Sequence, residues 1–152
     1  MTDRAHDYMD LALAQAEIGG RAEEVPVGAV LVDGESGAVL AAAHNRVEAL
    51  RDPTAHAELL VIQEATRRLG LKRLTEAELY VTLEPCPMCA QAIAFARLRR
   101  LVFGAEDPKG GGVVHGPRIF EQPTCNHRLQ VAGGLEAERC GALLKAFFKA
   151  RR

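Results

Sequence analysis

The amino-acid sequence predicts an α/β fold in which an antiparallel hairpin joins parallel strands in one sheet. Three observations support this prediction. The 152 residues fit one domain, spanning residues 1–152. Two apolar segments flank a glycine-containing turn, and a strand, a helix and a strand follow at the spacing of a parallel crossover. With 48% hydrophobic and 26% charged residues, the composition excludes disordered, collagen-like and fibrous proteins.

The first part of the chain predicts a helix followed by the hairpin. Apolar residues recur at helical spacing over residues 3–18, and Gly19-Gly20 are expected to end this helix. Residues 25–32 form a nearly continuous apolar segment, which is typical of a buried strand. The turn at residues 33–37 contains two glycines, so the apolar residues 38–44 are expected to return as the second strand.

A second helix precedes the strand–helix–strand unit. Asp52-Pro53-Thr54 predicts the start of that helix, which continues to Gly70. Residues 79–83 form a short apolar strand, Pro85-Cys86-Pro87 opens the next helix, and residues 101–103 form another apolar strand. Because strands joined by a helix pair in parallel, these two strands are expected to lie in the same sheet.

The C-terminal part combines a long irregular segment with a final helix. Residues 104–134 contain clustered glycines, and connections of that length serve function or carry small elements of their own. Residues 135–150 predict the last helix because apolar side chains recur along one face. That face holds Cys140, which is expected in the core, with Leu143, Leu144, Phe147 and Phe148.

The charge distribution and the cysteine content indicate the cellular compartment and the type of partner that we expect for this protein. No segment approaches the roughly 18 to 20 apolar residues of a membrane span, and the N-terminal residues lack a signal-peptide stretch. Four cysteines without an export signal favour metal or thiol chemistry, so we expect a cytoplasmic protein without a membrane partner. Residues 1–66 carry a net charge of −8 and residues 67–152 carry +7. This split indicates an anionic partner for the C-terminal part, or two halves whose charges mix in space.

Two clusters carry the strongest chemical signal. His56-Ala57-Glu58 and Pro85-Cys86-Pro87-Met88-Cys89 each stand at a predicted helix start. Cys86 and Cys89 are three residues apart, so they share one face of a first turn, where the helix dipole favours thiolates. Two thiolates and one imidazole are zinc ligands of suitable type and number. Three protein ligands leave a fourth position for water, which is typical of a catalytic zinc.

Glu58 indicates what such a zinc would do. Zinc lowers the pKa of bound water to roughly 7, and a carboxylate that is not a ligand can carry the water proton to a leaving nitrogen. Cys-x-x-Cys alone is equally typical of redox pairs and structural zinc. The alternative is therefore a structural zinc module that binds RNA without chemistry, and it needs a fourth ligand. The sequence offers His44, His115, Cys125 and His127.

Longer segments resemble the bacterial tRNA-specific adenosine deaminases, within the cytidine-deaminase-like family. The resemblance rests on residues 24–32, 52–58, 79–90, 101–105, 126–128 and 147–152. It implies the cytidine-deaminase-like fold, with three layers and a mixed central sheet of about five strands flanked by helices. It also implies a homodimer, one zinc ion per subunit, and conversion of adenosine to inosine at the wobble position of a tRNA. The partner is then the anticodon arm, typically of an arginine tRNA.

The resemblance implies roles for individual residues as well. By family pattern His56, Cys86 and Cys89 bind zinc, and Glu58 transfers protons. Substrate contacts are implied for Val27, Asn45, Ala57, Phe147, Phe148 and Arg151. The amide of Asn45 can donate to and accept from a purine edge; alternatively, Asn45 caps the turn after the second strand.

The C-terminal residues are the candidates for holding RNA. Phe147 and Phe148 adjoin Lys149, Arg151 and Arg152, and aromatic rings with basic neighbours hold splayed bases and phosphates. The alternative is that one ring lies in the core and the other docks the helix. A deaminase of free bases or nucleosides, of the guanine or cytosine type, has the same zinc and glutamate chemistry and is the alternative function.

Overall fold

The computed structural model describes residues 2–152, and within them the chain forms five strands, five α-helices and one 3-10 turn. In chain order these are α1 (Asp3–Arg21), β1 (Gly28–Asp33), β2 (Val39–His44), α2 (Val47–Leu50), α3 (Ala57–Leu69), β3 (Ala77–Leu83), α4 (Pro87–Phe95), β4 (Arg100–Ala105), the 3-10 turn (Ile119–Glu121), β5 (Gln130–Ala132) and α5 (Ala137–Lys149). No helix among the described residues combines the length and the apolarity that crossing a membrane requires.

One mixed sheet holds the five strands in the order β2-β1-β3-β4-β5. β1 pairs antiparallel with both β2 and β3, and Ala29 lies opposite Val81. β3, β4 and β5 are parallel, with Leu79 aligned to Leu101. The predicted α/β class, hairpin and parallel crossover are therefore confirmed. Because parallel strands end at the same edge of a sheet, the segments after β3 and β4 meet there.

Helices cover both faces of the sheet, and each face has its own core. One face carries Leu31, Leu79 and Phe103, which pack with buried residues of α3 and α4. The opposite face carries Val30 and Val102, which pack with residues of α1 and α5. Successive side chains of a strand point to opposite faces, so Val30 and Leu31 belong to different cores. This is the three-layer arrangement that the sequence resemblance implies.

α1 is longer than predicted. Gly19 and Gly20 lie inside the helix, which continues to Arg21, so the prediction that these glycines end it is wrong. Gly19 permits close packing instead, because a Cβ there would lie 3.0 Å from the Cβ of His44 on β2. The chain leaves the helix where Glu23 adopts a left-handed backbone, with φ of 67°.

Two further elements begin later than the sequence suggests, and one was not predicted. β1 begins at Gly28, after Pro26, which has no N–H to donate to a sheet. α3 begins at Ala57, because Asp52 accepts hydrogen bonds from the backbone and side chain of Thr54 and forms a separate turn. α2 is a single turn between β2 and α3 without a sequence signal of its own.

The C-terminal part contains the expected small elements, with a correction to the last helix. Residues 104–134 include the 3-10 turn and β5. α5 begins two residues after Leu135 because Glu136 has a left-handed backbone, with φ of 55°. Within the predicted apolar face, Cys140 is buried as expected, but Phe148 is 47% exposed. The C-terminal end of α5 therefore exposes the aromatic ring of Phe148 to solvent.

Candidate active site

His56 and Glu58 stand at the start of α3. His56 precedes the first helical residue with an extended backbone (φ −79°, ψ 148°), and Glu58 lies in the first turn. In the middle of a helix, side chains two residues apart point in nearly opposite directions. The extended backbone at His56 removes this restriction, and both side chains line one pocket.

Cys86 and Cys89 stand at the start of α4 in the same manner. Cys86 precedes the helix with an extended backbone, and Pro87 opens the first turn that carries Cys89. The Nδ1 atom of His56 lies 3.6 Å from Sγ of Cys86 and 3.4 Å from Sγ of Cys89. The fold thus brings three ligand atoms together from two helix starts.

These three side chains fit a zinc ion. Tetrahedral zinc has bonds of about 2.3 Å to sulfur and about 2.0–2.1 Å to nitrogen, which place the two ligand atoms about 3.5 Å apart. The observed separations agree with that value. Among residues 2–152, the group of potential ligand atoms within 4.8 Å of one another consists of His56, Cys86 and Cys89.

The four candidates for a fourth ligand lie outside this group and have other contacts. His44 and His127 each contact a backbone carbonyl oxygen, at 2.8 and 2.7 Å. Cys125 donates to the carbonyl oxygen of His127, and His115 contacts Glu84. The group therefore offers three protein ligands, which is the number that an open catalytic zinc site would need, whereas a structural zinc module would need a fourth.

Burial and hydrogen bonds both shift the pKa values of the groups at this site. Glu58 is 4% exposed, and burial raises its pKa to about 7, against partial compensation by the neighbouring His56 ring. A carboxyl group with such a pKa can both accept and donate a proton near neutral pH. The hydrogen bond with Cys89 lowers the pKa of Cys86 to about 4, and the same contact raises the pKa of Cys89.

A pocket of about 560 Å³ lies over this cluster, a volume typical of small-ligand sites. Its walls come from the segment before β1, from α2, from the loop after β4 and from the end of α5. Seven of the predicted site residues line it: Val27, Asn45, His56, Glu58, Cys86, Phe147 and Arg151.

Asn45 both lines the pocket and ties two of its walls together. Its Oδ1 accepts a hydrogen bond of 2.8 Å from the backbone N–H of Ala57, the first residue of α3. Asn45 therefore caps α3, while its NH₂ group stays available as a donor. The side chain of Ala57 is fully buried and does not line the pocket, so this residue participates through its backbone.

The end of α5 forms the outer wall. The Arg151 guanidinium lies 3.4 Å from the ring centroid of Phe147, and it also pairs with Glu23. Phe148 packs edge-on against Phe147, with ring centroids 5.4 Å apart. Phe148 itself lies outside the pocket, so the structure separates the two rings: Phe147 faces the pocket and Phe148 the surroundings.

Comparison with known proteins gives the family. A model of the MafB19-like deaminases matches residues 4–152. The tRNA-specific adenosine deaminase of Agrobacterium fabrum is 52% identical to this protein. The alignment covers 100% of this chain and 98% of the Agrobacterium chain. The chain belongs to the tRNA-specific adenosine deaminases.

Solved structures agree with this assignment. A chain from work on A-to-I editing by tRNA:A34 deaminases at the wobble position of transfer RNA superposes with a TM-score of 0.88 and 53% identity, over 91% of this chain and 99% of that one. A guanine deaminase from Nitrosomonas europaea has a TM-score of 0.81 but 25% identity, over 93% of this chain and 83% of that one. The resemblance seen in the sequence is confirmed, and so is the cytidine-deaminase-like fold.

In the folded deaminase, acidic residues of the negatively charged half of the chain (residues 1–66) form ion pairs with arginines of the positively charged half (residues 67–152). Asp10 of α1 pairs with Arg139 of α5 at 2.7 Å, and Glu23 pairs with Arg151. The pocket lining contains six acidic residues and one arginine. The positive charge of residues 67–152 therefore does not produce a basic pocket.

Two buried carboxylates of the pocket, Glu24 and Glu84, were not identified from the sequence. Glu24 is 1% exposed and accepts hydrogen bonds from the backbone N–H groups of Glu48 and Ala49, at 3.0 and 2.8 Å, so it holds α2 in place. Glu84 is 2% exposed and accepts from the loop after β4. Burial alone would raise the pKa of Glu84, but hydrogen bonds from the Asp107 backbone and from His115 lower it below its usual value. The only sequence signal was an acidic residue at the border of an apolar strand.

Proposed function

We propose that this deaminase converts adenosine to inosine at the wobble position of a tRNA, with an arginine tRNA as the first candidate. One observation carries the proposal: Glu58 lines a single pocket of suitable size together with His56 and Cys86, two members of the three-residue cluster. In the net reaction, a bond forms between C6 and the oxygen of water, the bond to the amino nitrogen breaks, and ammonia leaves.

His56, Cys86 and Cys89 would hold one zinc ion per subunit. Bound there, zinc supplies the Lewis acidity that activates a water molecule near neutral pH. The donor set supports this metal, because thiolate and imidazole ligands together suit zinc.

Glu58 would transfer the protons. As a buried carboxylate it takes a proton from the attacking water and delivers it to a ring nitrogen of adenine. The second water proton follows to the amino group, so that the leaving group is neutral ammonia. The position of Glu58 beside the ligand cluster, without being part of it, supports this role.

The remaining walls would orient the base. The NH₂ group of Asn45 is placed to donate to a purine nitrogen, while Val27 and Phe147 offer apolar surface to the ring. Ala57 contributes by fixing Asn45. Phe148, outside the pocket, would offer an exposed ring to a neighbouring base, and Arg151, at the outer wall, would offer a charge to phosphate.

We further propose a cytoplasmic homodimer. Within residues 2–152, none of the four cysteines forms a disulfide, which is what a reducing compartment would favour. Met88 and Phe95 are seven residues apart on one side of α4 and are 36% and 70% exposed, and a second subunit would cover such an apolar face.

The test uses zinc-loaded protein and an arginine tRNA with adenosine at the wobble position. Inosine is read by sequencing, and Glu58→Ala and a panel of free bases and nucleosides are assayed in parallel. Inosine at that one position, absent with the variant, is the expected result. Release of ammonia from guanine or cytosine, without inosine in the tRNA, would support the proposed deamination chemistry and contradict the proposed tRNA substrate. No product from any substrate, with zinc fully bound, would overturn both.

A further inference from the structure

Glu84 is a buried carboxylate between the turn that carries Cys86 and the loop after β4. Its Oε1 accepts a hydrogen bond of 3.0 Å from the backbone N–H of Asp107. Its Oε2 accepts three more, from the backbone N–H groups of residues 113–115, at 3.1, 2.9 and 3.1 Å. A fifth contact, of 2.8 Å, joins Oε1 to Nδ1 of His115. The Glu84 carboxylate thus accepts hydrogen bonds from backbone N–H groups at both ends of this loop (residues 107–115).

The glycines of the loop allow it to lie directly on this carboxylate. A Cβ on Gly111 would collide with Oε2 of Glu84. A Cβ on Gly112 would lie 2.5 Å from the backbone nitrogen of Pro87, at the start of α4. The N–H of Gly112 also donates to the carbonyl oxygen of Pro85, at 2.8 Å. Only residues without a side chain can approach the zinc-site turn this closely.

The N–H groups of this loop are therefore already occupied. A glycine-rich loop with converging N–H groups is a familiar cradle for phosphate, but here the cradle holds an internal anion. The outer part of the same loop reaches the pocket, where Asp107 and Gly110 form part of the wall. Glu84 lies two residues before Cys86. Its hydrogen bonds therefore fix the position of this wall relative to the turn that carries Cys86.

We infer that Glu84 is a positioning residue for substrate binding, which holds residues 107–115 as a fixed wall of the pocket. The substrate meant here is the tRNA of the proposed function, on which this inference rests. Glu84 would touch neither the base nor the metal. Its contribution is to keep the wall in its binding conformation before the substrate arrives, so that ordering the loop does not weaken binding.

The test replaces Glu84 by Gln, which keeps the size but presents an NH₂ group to N–H donors. Glu78→Gln is the matched control, because Glu78 lies on β3, the strand that Glu84 follows, pairs with Arg99 at 2.6 Å and does not line the pocket. In zinc-loaded protein, amide exchange of residues 106–116 should become at least about tenfold faster in Glu84→Gln only. KM for tRNA should rise about tenfold or more, while kcat changes less than about threefold and zinc stays bound.

Two results would overturn the inference. The first is loop exchange and KM in Glu84→Gln that match those of Glu78→Gln. The second is loss of zinc with a fall in kcat at unchanged KM, since Glu84 would then act on the ligand turn alone. If Glu84→Gln does not fold, Gly111→Ala disturbs the same contact from the loop side, with the same expected and contrary results. Amide exchange needs no substrate, so it decides about the loop even if the wild type edits no tRNA.

Discussion

The floor and the rim of the pocket are built in opposite ways. At the floor, the proposed zinc ligands stand at the starts of two helices that pack on the sheet, and Glu58 is 4% exposed. At the rim, Phe147 and Arg151 come from the end of a helix with one buried residue. Arg151 is held there by Glu23, whose side chain is 76% exposed.

This contrast separates the chemistry from the capture of a large substrate. Groups that move protons need fixed positions, and burial between packed helices provides them. An exposed ion pair contributes about 0–1 kcal/mol, so the rim can rearrange around RNA at little cost. We therefore expect changes at the floor to act on the rate and changes at the rim to act on affinity.

The largest expected effect is at the floor. Glu58→Ala should lower kcat by about 10²–10⁴, because the proton transfers lose their carrier. Zinc content, measured by atomic emission, should match that of the wild type, since Glu58 is outside the ligand group. Single-turnover formation of inosine is the readout, and near-normal turnover by the variant would end the proposed role of Glu58.

Asn45 tests the boundary between floor and wall. Asn45→Ala should lower kcat/KM by about 10–100-fold, because it removes both the cap on Ala57 and the NH₂ donor. Asn45→Asp keeps an acceptor for the cap, loses the donor and adds a negative charge to the pocket. Its melting temperature should therefore recover while kcat/KM stays low. If both the melting temperature and kcat/KM recover in Asn45→Asp, then Asn45 only caps α3 and makes no contact with the base.

A smaller effect is expected at the rim. A chain ending at residue 148 lacks Lys149, Arg151 and Arg152, and should bind tRNA about three- to tenfold more weakly with a shallower salt dependence. Zinc content should not change. Lys72→Ala is the control, because it removes a charge that does not line the pocket. Unchanged tRNA affinity at physiological salt would exclude the tail from binding.

The smallest effect is expected from Glu23→Gln, which releases Arg151. The free energy of unfolding should change by less than about 0.5 kcal/mol. The affinity for tRNA should rise by no more than about threefold, as one negative charge leaves the rim. A loss of stability above about 2 kcal/mol in chemical denaturation would show that the rim is fixed as firmly as the floor.

The floor was accessible from the sequence because its signals are local. The three proposed ligands and Glu58 fall in two short motifs, and each motif marks a helix start. The pocket that His56 and Glu58 share could not be derived, since it depends on the extended backbone at His56. Glu24 and Glu84 could not be found, because their partners are 23 to 31 residues away in the chain. Gly19 misled the prediction for a similar reason, because its role is packing against His44 and not helix termination.

The spacing of the ligands also has a consequence for folding. Cys86 and Cys89 stand 30 and 33 residues after His56, so an ion held by all three closes a chain loop that contains α3 and β3. Such an ion is a reversible cross-link. The free energy of unfolding should then rise by about 1.4 kcal/mol for each tenfold increase in free zinc above its dissociation constant. The melting temperature of this deaminase thereby becomes a gauge of the zinc available to it.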